Sequence, residues 1–237
     1  MPISNSAFAV ILASILMGCE TTSHDAHASQ HATGDTAHDA HAKSGVTADE
    51  ALKRLMEGNE RFVDGHRLAR ADEAHVRAEL ANTQKPFAIV VCCSDSRVGP
   101  EIVFDQGLGD IFVVRTAGEV VDDAALGSIE YGVEHLGAPL ILVLGHERCG
   151  AVSAAVAGGE AHGHVAALVK AILPAVAETR GQAGDAVDNA VHANVRDVVR
   201  ALRTSEPILA ELAGRGAVTV RGARYLDTGR VEIEPMK

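Results

Sequence analysis

Tryptophan is absent from this chain, and two tyrosines and five phenylalanines bring the aromatic share of its 237 residues to only 3%. Its core must therefore be filled by Val, Ile, Leu and Ala, and a 47% hydrophobic content is enough for one domain with terminal extensions. Positive charge is scarce too: 21 Lys and Arg against 32 Asp and Glu leave a formal net charge of -11. That balance excludes nucleic acid and anionic membrane surfaces as partners, because both would repel the chain, whereas a small neutral molecule is unaffected. Cysteine is too sparse and too awkwardly placed for a disulfide framework: Cys19 sits near the start, and Cys92 and Cys93 are neighbours in one apolar run. Only Cys93 and Cys149 stand among other ligand-type residues, and the absence of any Cys-x-x-Cys pair argues against a thiol redox centre. The apolar run at residues 7–17, AFAVILASILM, is short for a membrane-spanning helix and suits a signal-peptide core.

That run ends in Leu16-Met17-Gly18-Cys19, which resembles a bacterial lipoprotein cleavage box. Cys19 would then be lipidated and become the first residue of an exported, periplasmic or membrane-anchored protein that meets the membrane only through its lipid. No Lys or Arg precedes the run, and if it is instead an overlong start the protein stays in the cytoplasm. Residues 1–19 are thus read as a leader and residues 20–45, rich in Ser, Thr, Ala, Asp and His, as a disordered tether. His24, His27, His31, His38 and His41 in that tether suit loose capture of Zn²⁺ or Cu²⁺, and equally a solvated spacer.

Residues 46–237 carry the folded pattern. Thr47 with Glu50 reads as a capping box for a helix over 48–63, which Gly58 interrupts cheaply, and a second helical piece covers 71–80. Strands are expected at 88–93, 111–115 and 140–144, and at 218–221 with a hairpin on to Val231. Helical spacing of Leu126, Ile129, Val133 and Leu136, and of Val165, Leu168, Val169 and Ile172 before Pro174, fills the intervals. Alternating strand and helix gives an α/β fold: a mainly parallel central sheet flanked by helices, with a helical N-terminal arm. Ligands in such sheets bind beyond the carboxyl ends of the strands.

Two of those ends bear chemistry. Residues 88–97, AIVVCCSDSR, deliver Cys93, Asp95 and Arg97, and residues 140–150, LILVLGHERCG, deliver His146 and Cys149. Two thiolates and an imidazole form the ligand set of a Zn²⁺ site with one open position. On spacing alone they also suit a closed structural site with Asp95 as fourth ligand. Strong helix formers after Cys149 place it at a helix N-terminus, which stabilises a thiolate. Arg97 offers a planar fork for the Asp95 carboxylate.

The segments Cys93-Ser94-Asp95-Ser96-Arg97 and, about fifty positions on, His146-Glu147-Arg148-Cys149-Gly150 resemble the paired signatures of the β-class carbonic anhydrases. The likeness extends through residues 84–86, 104–110, 112–115, 128–131 and 193–195 to residues 228–231. It implies one Zn²⁺ per chain on Cys93, His146 and Cys149, and reversible hydration of CO₂ to bicarbonate by a ping-pong scheme. It also implies an Asp95–Arg97 dyad in which Asp95 either pairs with Arg97 or swings onto the metal and closes it. Gln84, Phe112, Ala117 and Tyr131 would line the substrate pocket, Gln84 coming from the partner in a homodimer or dimer of dimers.

Thr116 and Glu119 depart from the family, many of whose members carry Asn there, and Val90 stands where members regulated by bicarbonate carry Trp. Rival readings are a hydrolase of CS₂ or COS on the same fold and a zinc-buffering surface lipoprotein without catalysis. His66, His75 and His192 read as surface and His135 as a helix-end or surface residue. His162 and His164 lie in a glycine-rich loop and could pass protons to buffer, while Tyr131 reads as pocket or as simple core.

Overall fold

The structure, a computed structural model, describes residues 45–68 and 74–235. The leader, Cys19, the His-rich tract and residues 71–73 of the expected second helix lie outside the described residues. The strands are β1 (Ala88–Cys93), β2 (Ile111–Thr116), β3 (Leu140–His146), β4 (Thr219–Tyr225) and β5 (Val231–Ile233). The helices are α1 (Ala48–Val63), α2 (Ala74–Leu80), α3 (Pro100–Val103), α4 (Asp123–Glu134), α5 (Gly150–Ala157), α6 (Val165–Thr179), α7 (Ala186–Arg203) and α8 (Ile208–Gly214). None is long and apolar enough to cross a membrane, among the described residues.

The sheet runs β2-β1-β3-β4-β5, parallel except for the β4–β5 hairpin. Strands β1 and β3 are buried at every position, as central strands covered on both faces must be. Period-two alternation divides their side chains. Ile89, Val91, Ile141 and Val143 meet α4, α7 and α8 through Ile129, Val133, Val195, Leu202 and Leu209. Ala88, Val90, Cys92, Leu142 and Leu144 meet Ala51 and Leu55 of α1 on the other face. The same alternation separates two adjacent thiols: Cys92 turns into the α1-side core, while Cys93 joins Cys149, Val152, Ile172 and Val191.

Thr47 caps α1 as expected, its side chain accepting from the Glu50 N–H at 3.2 Å. Gly58 is no cheap interruption, however. A Cβ there would lie 1.7 Å from the Phe104 carbonyl oxygen, so its missing side chain lets α1 settle against the chain after α3. Helix α6 continues through Pro174 to Thr179 instead of ending before it. The carbonyl that proline leaves unpaired belongs to Lys170 on an exposed stretch, and buried Ile172 and Ala175 hold the turn in place. Strands β3 and β4 run past their expected ends because neighbouring strands pair with them as far as His146 and Tyr225. His192 is partly exposed but engaged: its Nδ1 lies 2.5 Å from Glu234 Oε1 and ties α7 to the chain after β5.

Candidate metal centre

Strand β1 ends at Cys93, and a tight turn follows in which the Val98 N–H donates to the Asp95 carbonyl at 3.1 Å. Arg115 of β2 secures that turn: its guanidinium donates to the carbonyls of Cys93 (3.0 Å), Asp95 (2.7 Å) and Val98 (3.0 Å). Sequence reasoning assigned Arg115 no role. Its signal is an exposed arginine ending an otherwise apolar parallel strand, beside the Cys93 register position.

The second turn follows β3. His146 Nδ1 lies 2.9 Å from the Glu147 carbonyl oxygen and must donate to it, which leaves the Nε2 lone pair for another partner. Nε2 is buried and has no hydrogen-bond partner. Arg148 sits in the left-handed region at φ 53, Glu147 Oε2 accepts from the Asp227 N–H at 2.7 Å, and Arg148 pairs with the Asp227 carboxylate at 2.6 Å. The hairpin turn beyond β4 thereby props the ligand turn. Cys149 is the residue immediately before α5, as expected.

Cys93, His146 and Cys149 are all buried, with their ligand atoms within 4.8 Å of one another and the two sulfurs 4.0 Å apart. Two thiolates on one tetrahedral Zn²⁺ at ~2.3 Å each would be ~3.8 Å apart, so the residues fit that ion. The Cys149 side chain, opposed by burial, holds the Cys93 thiol well below its usual range, with help from His146 and the Gly118 N–H, which donates to Cys93 Sγ at 3.2 Å. Cys149 is pushed up by Cys93 and by burial, because a second thiolate beside the first needs a compensating cation. Burial pulls the His146 imidazole down, yet the Cys93 side chain and the acids Glu119 and Asp95 outweigh it and the net direction is up. This is a field built for positive charge. Burial pushes the neighbouring Cys92 thiol up to about 12, which makes it inert.

Asp95 accepts two side-chain hydrogen bonds from Arg97, Nε to Oδ1 at 2.9 Å and Nη2 to Oδ2 at 2.7 Å, and a third from the Arg97 N–H at 2.9 Å. Those bonds hold its carboxyl well below the usual range. Arg97 also reaches the Arg148 carbonyl at 3.3 Å, joining the two ligand turns. Asp95 Oδ2 is 3.9 Å from His146 Nε2, beside the ligand atoms while engaged with Arg97.

Among the expected pocket residues, Ala117 opens the short turn Ala117–Glu119 that faces Cys93. Gln84 and Tyr131 share a groove with Leu108 and His135 instead. The Phe112 and Tyr131 rings lie 6.4 Å apart, and Tyr131 is 46% exposed, so it is not core. Phe112 pairs with Ile89, whereas Thr116 pairs with Cys93, so four residues of strand separate Phe112 from the ligand end, roughly 13 Å. Of the two departures, Thr116 donates its hydroxyl to the Val120 carbonyl at 2.5 Å, and Glu119 is buried and bonded by Asn194. His162 and His164 are exposed, and His135 caps α4.

The family model described as carbonic anhydrase matches residues 88–231. "Carbonic anhydrase 2" of Mycobacterium tuberculosis is 46% identical over 188 residues, covering 77% of this chain and 91% of the relative. The carbonic anhydrase of Mycolicibacterium smegmatis is 43% identical over the same shares. Among solved structures, the Coccomyxa β-carbonic anhydrase in complex with acetazolamide superposes with a TM-score of 0.62 at 30% identity, over 77% of this chain and 85% of that one. A structure of tetrameric β-carbonic anhydrases from Sordaria macrospora reaches a TM-score of 0.64 at 22% identity over 78% and 97%, which speaks to the fold alone. With two matching ligand turns, one parallel sheet beneath them and relatives of this closeness, the chain belongs to the β-class carbonic anhydrases.

Proposed function

We propose that this chain catalyses the reversible hydration of CO₂ to bicarbonate and a proton, with Zn²⁺ held by Cys93, His146 and Cys149. The observation that carries the reading is the buried His146 Nε2, unpartnered and facing two cysteines whose sulfurs are 4.0 Å apart, next to an aspartate engaged by arginine. When bound, Zn²⁺ supplies a Lewis acid that brings the pKa of water from 15.7 down to roughly 7 and so makes hydroxide available near neutral pH. The protein does the rest. Arg97 keeps Asp95 ionised and turned aside, so the carboxylate is an acceptor that can orient a hydroxyl without occupying a ligand position. That engagement supports an open catalytic site over a closed structural one. The three ligand residues are buried, and a small uncharged substrate is not repelled by the acidic exterior.

Gln84, Phe112 and Tyr131 belong to this reading as residues that one protomer lends to its partner's site, since within a chain they group together away from the ligand turns. Exposed Leu108 and Tyr131 support such an interface. An N-terminal lipid on Cys19, with export to the periplasm, remains part of the proposal on the strength of the Leu16-Met17-Gly18-Cys19 segment. Stopped-flow CO₂ hydration with a parallel zinc count is the test. Cys93→Ser, His146→Ala and Cys149→Ser should each abolish zinc loading and activity together; a variant that stays active without zinc would overturn the metal assignment.

A further inference from the structure

Glu119 is a costly residue where it stands. It lies in the left-handed region at φ 44, which a non-glycine residue avoids, and it is only 1% exposed. Its Oε1 accepts from Asn194 Nδ2 at 2.8 Å, while Oε2 is buried with no partner. A half-satisfied buried carboxyl destabilises a fold, and a glycine would suit the backbone better. What it gains is a grip on its neighbour. The same Asn194 Nδ2 donates to the Gly118 carbonyl at 2.9 Å, so one amide holds two of the three residues of the Ala117–Glu119 turn. Gly118, at φ 70, is enclosed as well, since a Cβ there would meet Ile172 Cδ1 at 2.7 Å and Ala151 Cβ at 3.0 Å. The product of that clamping is one directed group: the Gly118 N–H, aimed at Cys93 Sγ from 3.2 Å.

We propose that Glu119 and Asn194 are positioning residues of the metal centre, which fix the Gly118 turn so that its N–H is donated to the Cys93 sulfur. This rests on the reading of Cys93 as a metal ligand. An N–H donated to a thiolate lowers the energy of its lone pairs and weakens their donation, so a metal held there stays a stronger Lewis acid than two unbonded thiolates would leave it. The clamp offsets the extra electron density that two cysteines bring, from a position that touches no substrate.

The test uses the full chain loaded with Co²⁺ in place of Zn²⁺, read by its sulfur-to-cobalt charge-transfer absorption and by metal loss to a chelator. Asn194→Ala removes both grips and Glu119→Gly removes one while suiting the backbone, so the second carries the test if the first does not fold. In both, the band should move to lower energy as the sulfur regains electron density. Metal should leave about tenfold faster or more, because a thiolate without its N–H donor is more readily protonated and displaced, the order of effect expected when a ligand loses its supporting hydrogen bond. Glu119→Gln keeps the acceptor and should match the parent within about twofold in both readouts. Leu202→Ala, a core deletion on the same helix, should lower thermal stability and leave the band where it is. An unmoved band in folded Asn194→Ala and Glu119→Gly, or an equal shift in Leu202→Ala, overturns the proposal. Failure of the parent chain to take up one metal ion overturns the metal assignment itself.

Discussion

At the scale of single residues, this protein separates chemically identical groups by their surroundings. Cys92 and Cys93 are adjacent, yet burial pushes the first up to about 12 while Cys149 and other neighbours hold the second well below the usual thiol range. Asp95 and Glu119 diverge in the same way. Arg97 holds Asp95 low, and burial pushes Glu119 up to about 7. Asp95→Asn should therefore keep its zinc but lose rate, by about 100-fold if the carboxylate orients the nucleophile, as a hydration assay with a zinc count would read. Glu119 makes a pH prediction whose sign follows from linkage. Its carboxyl ionises near 4.5 in the unfolded chain and near 7 in the folded one, so between those values the folded state binds more protons. Its contribution to stability is fully present below about 4.5 and is lost as pH rises through 7. Compared with the parent, Glu119→Gln should gain melting temperature progressively from pH 4.5 to 7 and hold that gain above it, by an amount of at most about 3 kcal/mol. A difference that does not vary with pH would show that Glu119 is ionised throughout.

At the scale of elements, the site consists of two strand ends and the groups that brace them. Arg115 braces the turn after β1 through three carbonyls, and the β4–β5 hairpin braces the turn after β3 through Glu147 and Arg148. Asn59 of α1 locks that hairpin in turn, donating to the Gly229 carbonyl at 2.8 Å and accepting from the Val231 N–H at 2.8 Å. Helix α1 thus supports the metal turn from the far face of the sheet through Asn59, and Gly58 lets the helix lie close against Phe104. Gly58→Ala should cost about 3 kcal/mol, the upper range for overpacking a core, because the atom a methyl would meet is backbone and cannot step aside. Denaturant unfolding measures this directly, and a loss below about 0.5 kcal/mol would show that the contact relaxes freely. The strand ends bearing Cys93 and His146 were legible in the sequence, because apolar runs closing on Cys, His and Asp have few other uses. Helices α7 and α8, which cover one face of the sheet, carried no such marker. Pro174 read as a helix end because a local rule cannot see the packing that carries α6 through it.

At the scale of the whole molecule, the ligand turns and the groove holding Gln84 and Tyr131 are separate places on one chain, and the proposed function joins them across a protomer interface. Tyr131→Glu puts a charge on the exposed aromatic groove, and should yield a monomer that retains one zinc yet has lost most of its activity. Light scattering, a zinc count and a hydration assay on one preparation would read this, and a fully active monomer would refute the shared site. The formal net charge of -11 repels polyanions and leaves an uncharged gas unaffected.

Residue order alone determined which atoms could hold a metal, since a ligand set is a matter of side-chain type, and strand periodicity turns Cys93 and Cys92 to opposite faces whatever surrounds them. Only the tertiary structure decided that the sulfurs of Cys93 and Cys149, fifty-six positions apart, lie 4.0 Å from each other. It alone decided, too, that Asn194 reaches Glu119 and that Phe112 stands far from the site of its own chain. Those facts depend on which strands neighbour one another, and strand order is settled by burial summed over the whole sheet.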